Sequence, residues 1–299
     1  MKKITEILKE KKFTISLEIV PPRNGNPTDI TYNDLKKLKG KIDFLSVTKG
    51  AGGSLRGGTL PISYFAWQKF GITPVSHFVC RERTKQEIEN ELIDLYYFGI
   101  NNILALRGDP PAGSKEEWNG DYKHAYLLVK QLKNLNEGKY LPRESFEKDF
   151  REGLKTDFCI LVAGHPEDPP EQEAKHIQAK LEAGAEVIIT QMIFSFKEYK
   201  DYVENLKKHG IKLPVIPGIR PLTNLKQAES VENFFKLKVA DELKEGLKNA
   251  KDEKEAYEFG INYTAEMIKE LKKYGAPGAH LFVLNDIKLV EEILENCRI

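Results

Sequence analysis

A carboxylate inside an apolar segment is the first candidate for chemistry in this sequence. Glu18 lies in the run Ser16-Leu17-Glu18-Ile19-Val20. Burying a carboxylate is costly unless it is paired or protonated, and desolvation raises its pKa. A raised pKa is what a general acid needs near neutral pH. A structural ion pair with an Arg or Lys would explain the position equally well, so both roles stay open.

A second charged set follows a later apolar run. Arg107, Gly108 and Asp109 come directly after the segment Asn102–Leu106. The guanidinium and the carboxylate could hold each other as a structural pair. They could equally present a donor fork and an acceptor to a polar heterocycle.

Single polar residues mark three other apolar runs or their ends. His77 lies within Pro74–Cys80, and no other His stands at metal-ligand spacing, so a zinc site is unsupported. Gln191 is an amide in an apolar run, where it must find hydrogen-bond partners. His165 follows a third run, and Lys180 lies on the next amphipathic segment, where a solvated helix face is the simpler explanation.

Short apolar runs alternate with amphipathic segments along the chain. Eight runs of four to eight residues are typical of parallel strands buried on both faces: Ile15–Val20, Ile42–Thr48, Pro74–Cys80, Asn102–Leu106, Phe158–Ala163, Val187–Met192, Pro214–Pro217 and Leu281–Leu284. Helices are expected over Thr84–Tyr97, Ala125–Leu135, Glu171–Ala183, Phe196–His209 and Glu255–Tyr274, with two more helices and a charged link, Lys251–Glu255, within Leu225–Asn262.

Eight strand–helix alternations without a break in composition predict an α/β protein, one (β/α)8 TIM barrel forming a single domain over residues 1–299. A doubly wound open sheet is the alternative. In a barrel, functional groups collect at the carboxyl ends of the strands, where the polar residues above stand.

Composition excludes several classes of protein. Lys and Arg number 46 against 45 Asp and Glu, so there is no basic excess of the kind that nucleic-acid binding requires. No apolar run approaches the roughly 18 residues of a membrane span. The three cysteines lie far apart in the sequence, which favours a reducing, cytoplasmic location over a disulfide framework.

Several strings of the sequence match one known family in order and spacing. They are Leu17-Glu18-Ile19-Val20-Pro21-Pro22-Arg23, Ser46-Val47-Thr48-Lys49-Gly50-Ala51, Ala105-Leu106-Arg107-Gly108-Asp109, His165-Pro166-Glu167, Ile189-Thr190-Gln191, Ile216-Pro217-Gly218-Ile219 and Leu284-Asn285. Together they resemble the methylenetetrahydrofolate reductase family, and the similarity covers essentially the whole chain. The resemblance is to the bacterial catalytic barrel without a regulatory domain.

The resemblance implies FAD as cofactor and methylenetetrahydrofolate as substrate, with hydride passing from reduced FAD to the methylene carbon to give methyltetrahydrofolate. By resemblance, Glu18 protonates the folate, Asp109 lies near both the flavin and the pterin, and Gln191 and Gln227 bind substrate. The positions that match flavin contacts of the family are Thr48, His77, Arg107, Gly108, Asp109, His165 and Lys180.

Departures from the family pattern leave the electron donor open. Val231 stands where some members have an aromatic that stacks on the nicotinamide cofactor, and Asp286 stands where an Arg is common. NADH, NADPH or a reduced partner protein could therefore feed the flavin. Two alternatives remain: a partner-dependent flavin- or folate-binding subunit, and another flavin barrel oxidoreductase. By resemblance to bacterial members, a homo-oligomer is expected.

Overall fold

Strands and helices alternate through the chain in the computed structural model, which describes residues 1–25, 32–50, 56–108, 119–143 and 146–297. The strands are β1 (Thr14–Ile19), β2 (Phe44–Val47), β3 (Thr73–Val79), β4 (Asn102–Leu106), β5 (Lys139–Tyr140), β6 (Arg151–Glu152), β7 (Cys159–Gly164), β8 (Val187–Ile193), β9 (Val215–Ile219) and β10 (Gly278–Leu281). The helices are α1 (Ile4–Glu10), α2 (Tyr32–Leu38), α3 (Thr59–Phe70), α4 (Lys85–Tyr97), α5 (Ala125–Asn136), α6 (Pro170–Ala183), α7 (Phe196–Lys208), α8 (Leu225–Ser230), α9 (Asp241–Asn249), α10 (Glu253–Tyr274) and α11 (Ile287–Cys297), and a π-helical turn, Val231–Phe235, follows α8.

Eight parallel strands close into a barrel in the order β1-β10-β9-β8-β7-β4-β3-β2. Closure occurs between β1 and β10, where Thr14 pairs with Gly278 and Leu17 with Leu281. The predicted (β/α)8 barrel is confirmed, and the closed sheet excludes the doubly wound alternative. The short strands β5 and β6 form a separate antiparallel pair between α5 and β7.

Local sequence signals set the helix ends. Thr84 caps α4: its Oγ1 accepts from Glu87 N at 3.2 Å, and Glu87 Oε2 accepts from Thr84 N at 2.8 Å. The helices α6 and α10 end before Gly184 and Gly275, which have φ values of 116° and 90°. Glycine adopts this left-handed conformation at little cost.

Helix α1 closes the amino-terminal end of the barrel. Its Ile4 and Ile7 pack against apolar side chains that fill the barrel interior, among them Phe44 and Leu161. Asn102, the first residue of β4, accepts from Ile4 N at 3.0 Å and donates to Lys2 O at 3.0 Å. Apolar side chains therefore close this end of the barrel, and the amide of Asn102 is hydrogen-bonded through both its oxygen and its nitrogen.

Two sequence expectations differ from the structure. The last barrel strand is Gly278–Leu281, not Leu281–Leu284, because Leu284 has a φ of 50°, which no extended strand contains. The helix α10 begins at Glu253, inside the predicted link Lys251–Glu255, because Asp252 Oδ1 accepts from Glu255 N at 2.8 Å and so caps the helix there.

Among the described residues, none of the helices combines the length and apolar character that a membrane span requires.

Candidate functional site

A cavity of about 590 Å³ opens at the carboxyl ends of the barrel strands. Side chains from β1, β3, β4, β7, β8 and β10 line it together with α6. Seven residues that the sequence marked as candidates lie in this lining: Glu18, His77, Arg107, Gly108, His165, Lys180 and Gln191. The fold therefore brings together groups from six separate stretches of the chain.

Two other candidates, Thr48 and Gln227, are not part of this lining, and a third cannot be placed. Asp109 lies outside the described residues. Thr48 is buried just beyond β2, and its Oγ1 has no hydrogen-bond partner among the described residues. Gln227 lies in α8, where its Oε1 accepts from Thr223 N at 2.8 Å and so stabilises the start of that helix.

Glu18 and His77 form a close pair deep in the cavity. Glu18 Oε2 lies 3.6 Å from His77 Nε2, and only 16% of the Glu18 side chain is accessible. Burial raises the pKa of Glu18 to about 8 and lowers the pKa of His77 to about 3. These pKa values favour the neutral form of both groups at pH 7.

A bonded histidine lies in the same interior, near this pair. His280 Nδ1 lies 2.9 Å from Ser16 Oγ, and its Nε2 lies 3.1 Å from Ser46 Oγ. Burial, with a smaller contribution from His77, lowers the pKa of His280 to about 3. His280 was not among the predicted site residues, because the predicted last strand begins three residues after the start of β10. With β10 at Gly278–Leu281, His280 lies within the strand.

The end of β7 contributes a network of charged groups. His165 Nδ1 lies 3.1 Å from Glu167 Oε1. Desolvation lowers the pKa of His165, but the hydrogen bond and charge of Glu167 outweigh it, so this pKa lies above its usual value. Lys180 Nζ donates to Ala163 O at 2.8 Å, and desolvation lowers the pKa of Lys180 against the opposing charges of Glu173 and Asp168. Lys180 is thus a cavity residue and not a solvated helix face.

An irregularity in β8 places Gln191 in the cavity. The pairing of β8 with β9 shifts between Ile189 and Met192, which is the signature of a β-bulge. Gln191 Oε1 accepts from Met192 N at 2.9 Å, and among the described residues the amide nitrogen donates to none. That nitrogen is available to a ligand acceptor.

Gly218 of β9 allows Thr190 and Phe282 to pack closely against the strand. A Cβ at this position would overlap Thr190 O and the ring of Phe282, a cavity-lining residue. A glycine is therefore required for Phe282 to reach the cavity wall.

The fold and the cavity are those of a barrel enzyme with its polar groups gathered at the carboxyl ends of the strands. A family model described as methylenetetrahydrofolate reductase matches residues 3–298. The chain belongs to the methylenetetrahydrofolate reductase family.

Individual relatives agree with this membership. Methylenetetrahydrofolate reductase (NADH) 1 of Arabidopsis thaliana is 28% identical over 312 residues, covering 98% of this chain and 50% of the relative. The 5,10-methylenetetrahydrofolate reductase of Escherichia coli (strain K12) is 28% identical over 282 residues, covering 92% of this chain and 87% of the relative. The chain thus spans about half the length of the plant relatives that it matches.

One solved structure supports the fold. An uncharacterized protein from Clostridium thermocellum, described as binding two copies of 5-methyl-5,6,7,8-tetrahydrofolic acid, aligns with a TM-score of 0.56 and 16% identity. The alignment covers 98% of this chain and 96% of that one. At this identity the likeness concerns the fold alone.

Proposed function

We propose that this protein reduces 5,10-methylenetetrahydrofolate to 5-methyltetrahydrofolate with FAD as its bound cofactor. The observation that carries the proposal is Glu18, a carboxylic acid kept neutral at pH 7 at the base of a cavity among groups suited to heterocycles. Family membership supplies the reaction in which such an acid is needed.

Glu18 acts as general acid in this proposal. Its proton goes to the folate nitrogen that leaves the bridging methylene carbon, and the carbon–nitrogen bond breaks to give a reactive iminium. A carboxyl group with a pKa of about 8 is protonated at pH 7 and still able to lose its proton. The neutral imidazole of His77, 3.6 Å away, leaves that proton on Glu18 because its own pKa is about 3.

The chain offers polar atoms that fit a bound flavin. Thr48 Oγ1 and His77 Nε2 are buried without hydrogen-bond partners among the described residues, a costly state that a polar heterocycle would relieve. When bound and reduced, FAD would supply the hydride that the methylene carbon receives. The residues that we propose to hold it are Thr48, His77, Arg107, Gly108, Asp109, His165 and Lys180.

Two amides complete the proposed substrate site. The free amide nitrogen of Gln191 faces an acceptor of the pterin, and Gln227 contacts the substrate from the start of α8. Both amide oxygens are already occupied by backbone N–H groups, which fixes the orientation of each side chain.

Two half-reactions test the proposal on the purified chain saturated with FAD. We expect flavin absorbance to bleach on anaerobic reduction and to return when methylenetetrahydrofolate is added, with one methyltetrahydrofolate formed per flavin. Bleaching by NADH or by NADPH identifies the donor. Bleaching by dithionite alone, followed by folate reduction, indicates a protein donor. If the dithionite-reduced protein leaves methylenetetrahydrofolate unchanged, or if no flavin binds, the proposed function is wrong.

A further inference from the structure

Arg220 directly follows β9 at the carboxyl end of the barrel, the end at which the cavity opens. Alternation along the strand puts Arg220 on the same side as Ile216, which belongs to the apolar interior of the barrel. The residue before it, Ile219, accepts from Phe282 N at 2.8 Å, and Phe282 lines the cavity. Arg220 is not part of the cavity lining, but it is the next residue after the strand end that bonds this lining residue.

Among the described residues, no carboxylate pairs with the Arg220 guanidinium, and no hydrogen bond to it is found. Its guanidinium carbon lies 5.7 Å from the centroid of the Phe235 ring. Burial lowers the pKa of Arg220, and no neighbouring carboxylate opposes that effect. A half-buried cation whose N–H groups make no hydrogen bonds is energetically costly unless an anion pairs with it.

The π-helical turn after α8 positions the aromatic partner. Val231 is fully buried and packs on Met192 and Phe194, so it offers no surface to a ligand. The turn carries Phe235 outward, where 48% of its surface stays accessible beside Arg220. An extra residue per turn of this kind often marks a functional site.

The neighbouring strand supplies no cation at this end of the barrel. Asp286, beyond β10, accepts from Leu289 N at 3.0 Å and so caps α11. Arg220 directly follows β9, whereas residues 282–286 between β10 and α11 include no Lys or Arg.

We propose that Arg220 binds a carboxylate of the glutamate tail of the folate, with Phe235 holding the guanidinium plane in place. The inference rests on the proposed function. The pterin occupies the interior, and the two tail carboxylates must stay near the mouth, where water completes their solvation. A guanidinium matches a carboxylate through two parallel hydrogen bonds, which an ammonium cannot reproduce.

The tail itself provides the test, because tetrahydropteroate is tetrahydrofolate without its glutamate. We expect the FAD-loaded wild type to bind tetrahydrofolate about 10- to 100-fold more tightly than tetrahydropteroate, the range of a charge-assisted hydrogen-bonded pair. In Arg220→Gln that preference is lost, while the Kd for tetrahydropteroate stays unchanged. Arg220→Lys restores only part of it.

A matched control removes one positive charge at the other end of the same strand. Lys212 is exposed and precedes β9, so Lys212→Ala should leave both dissociation constants at wild-type values. Thermal melts of each variant confirm that the barrel is folded.

Three results would overturn the inference while leaving the proposed function intact. In the first, Arg220→Gln binds tetrahydrofolate with wild-type affinity. In the second, Arg220→Gln loses affinity equally for tetrahydrofolate and tetrahydropteroate. In the third, both folate affinities are unchanged and only the NADH concentration for half-saturation rises, which would mean that Arg220 binds an anionic group of the dinucleotide. If the wild type binds neither folate, the proposed function fails together with the inference.

Discussion

The two ends of the barrel use the same eight strands in opposite ways. At the amino-terminal end, Ile4 and Ile7 complete an apolar interior, and Asn102 is bonded through both its oxygen and its nitrogen. At the carboxyl end, Thr48 Oγ1 and His77 Nε2 are buried with no partner among the described residues. The two ends therefore differ in whether these buried polar groups have hydrogen-bond partners among the described residues.

Within a single strand, hydrogen-bonded polar side chains give way to polar side chains without partners among the described residues. On β1, Ser16 Oγ lies 2.9 Å from His280 Nδ1, whereas Glu18, two residues further on, makes no hydrogen bond with any described residue. Two residues of a strand span only about 7 Å. The boundary between structural and functional parts of this fold is therefore sharp, and variants on either side of it should separate stability from activity.

The largest effect is expected for Glu18→Gln at the open end. The amide keeps the shape of the neutral acid but cannot donate its proton, so the oxidation of reduced enzyme by methylenetetrahydrofolate should slow about 10²- to 10⁴-fold. Flavin reduction by the donor should stay near wild type. Stopped-flow measurement of both half-reactions checks this. A wild-type rate with the folate would exclude Glu18 as the acid.

Ile4→Ala tests the closed end. Ile4 is fully buried, so removing its side chain should lower the free energy of unfolding by about 2–4 kcal/mol through lost transfer energy and a cavity. Both half-reactions should be unchanged in the folded protein. Lys9→Ala, at an exposed position of the same helix, should change stability by at most about 0.5 kcal/mol. A slowed folate reaction in Ile4→Ala would show that the two ends are coupled.

The pH dependence of the free energy of unfolding measures the energetic cost of burying Glu18 at the carboxyl end of the barrel. Because the pKa of Glu18 rises from 4.5 to about 8 on folding, the folded state binds more protons between these values. The contribution of Glu18 to stability therefore falls as pH rises through this window, by up to about 1.4 kcal/mol per pH unit. His77 and His280, whose pKa values fall to about 3 on folding, act in the opposite direction up to about pH 6.5, so the Glu18 contribution is read from the difference between two proteins that both contain them. Urea unfolding of wild type and Glu18→Gln from pH 5 to 8 measures the difference. Parallel curves would mean that Glu18 is charged in the folded protein.

Most of the fold could be predicted from sequence because buried parallel strands are short apolar runs between capped helices. The exception is β10. It begins Gly278-Ala279-His280, and His280 is tolerated in the barrel only because Ser16 and Ser46 bond it. Those serines are more than 230 positions away in sequence, so no local pattern reveals them.

The site was predictable in part for the same reason. Glu18 stood out as a carboxylate in an apolar strand, and the family resemblance supplied the residues around it. Arg220 gave no such signal, because an Arg after a strand is unremarkable until its neighbours are known. The burial of Val231 depends on a π-helical turn, which changes the helix register by a residue and leaves no local mark in the sequence.

The smallest effects are expected for two substitutions that each remove one threonine hydroxyl, one at each end of the barrel. They compare the two ends most directly. Thr48→Val removes an unpartnered buried hydroxyl, so stability should hold or rise slightly, while the Kd for FAD weakens by about 3- to 10-fold. Thr14→Val removes a hydroxyl that donates to Pro277 O at 3.1 Å, and should cost about 0.5–1.5 kcal/mol of stability with FAD binding unchanged. Urea unfolding and flavin fluorescence titration measure the two quantities. If Thr48→Val destabilised the flavin-free protein as Thr14→Val does, the Thr48 hydroxyl would have a structural partner, and the two ends would not differ as described.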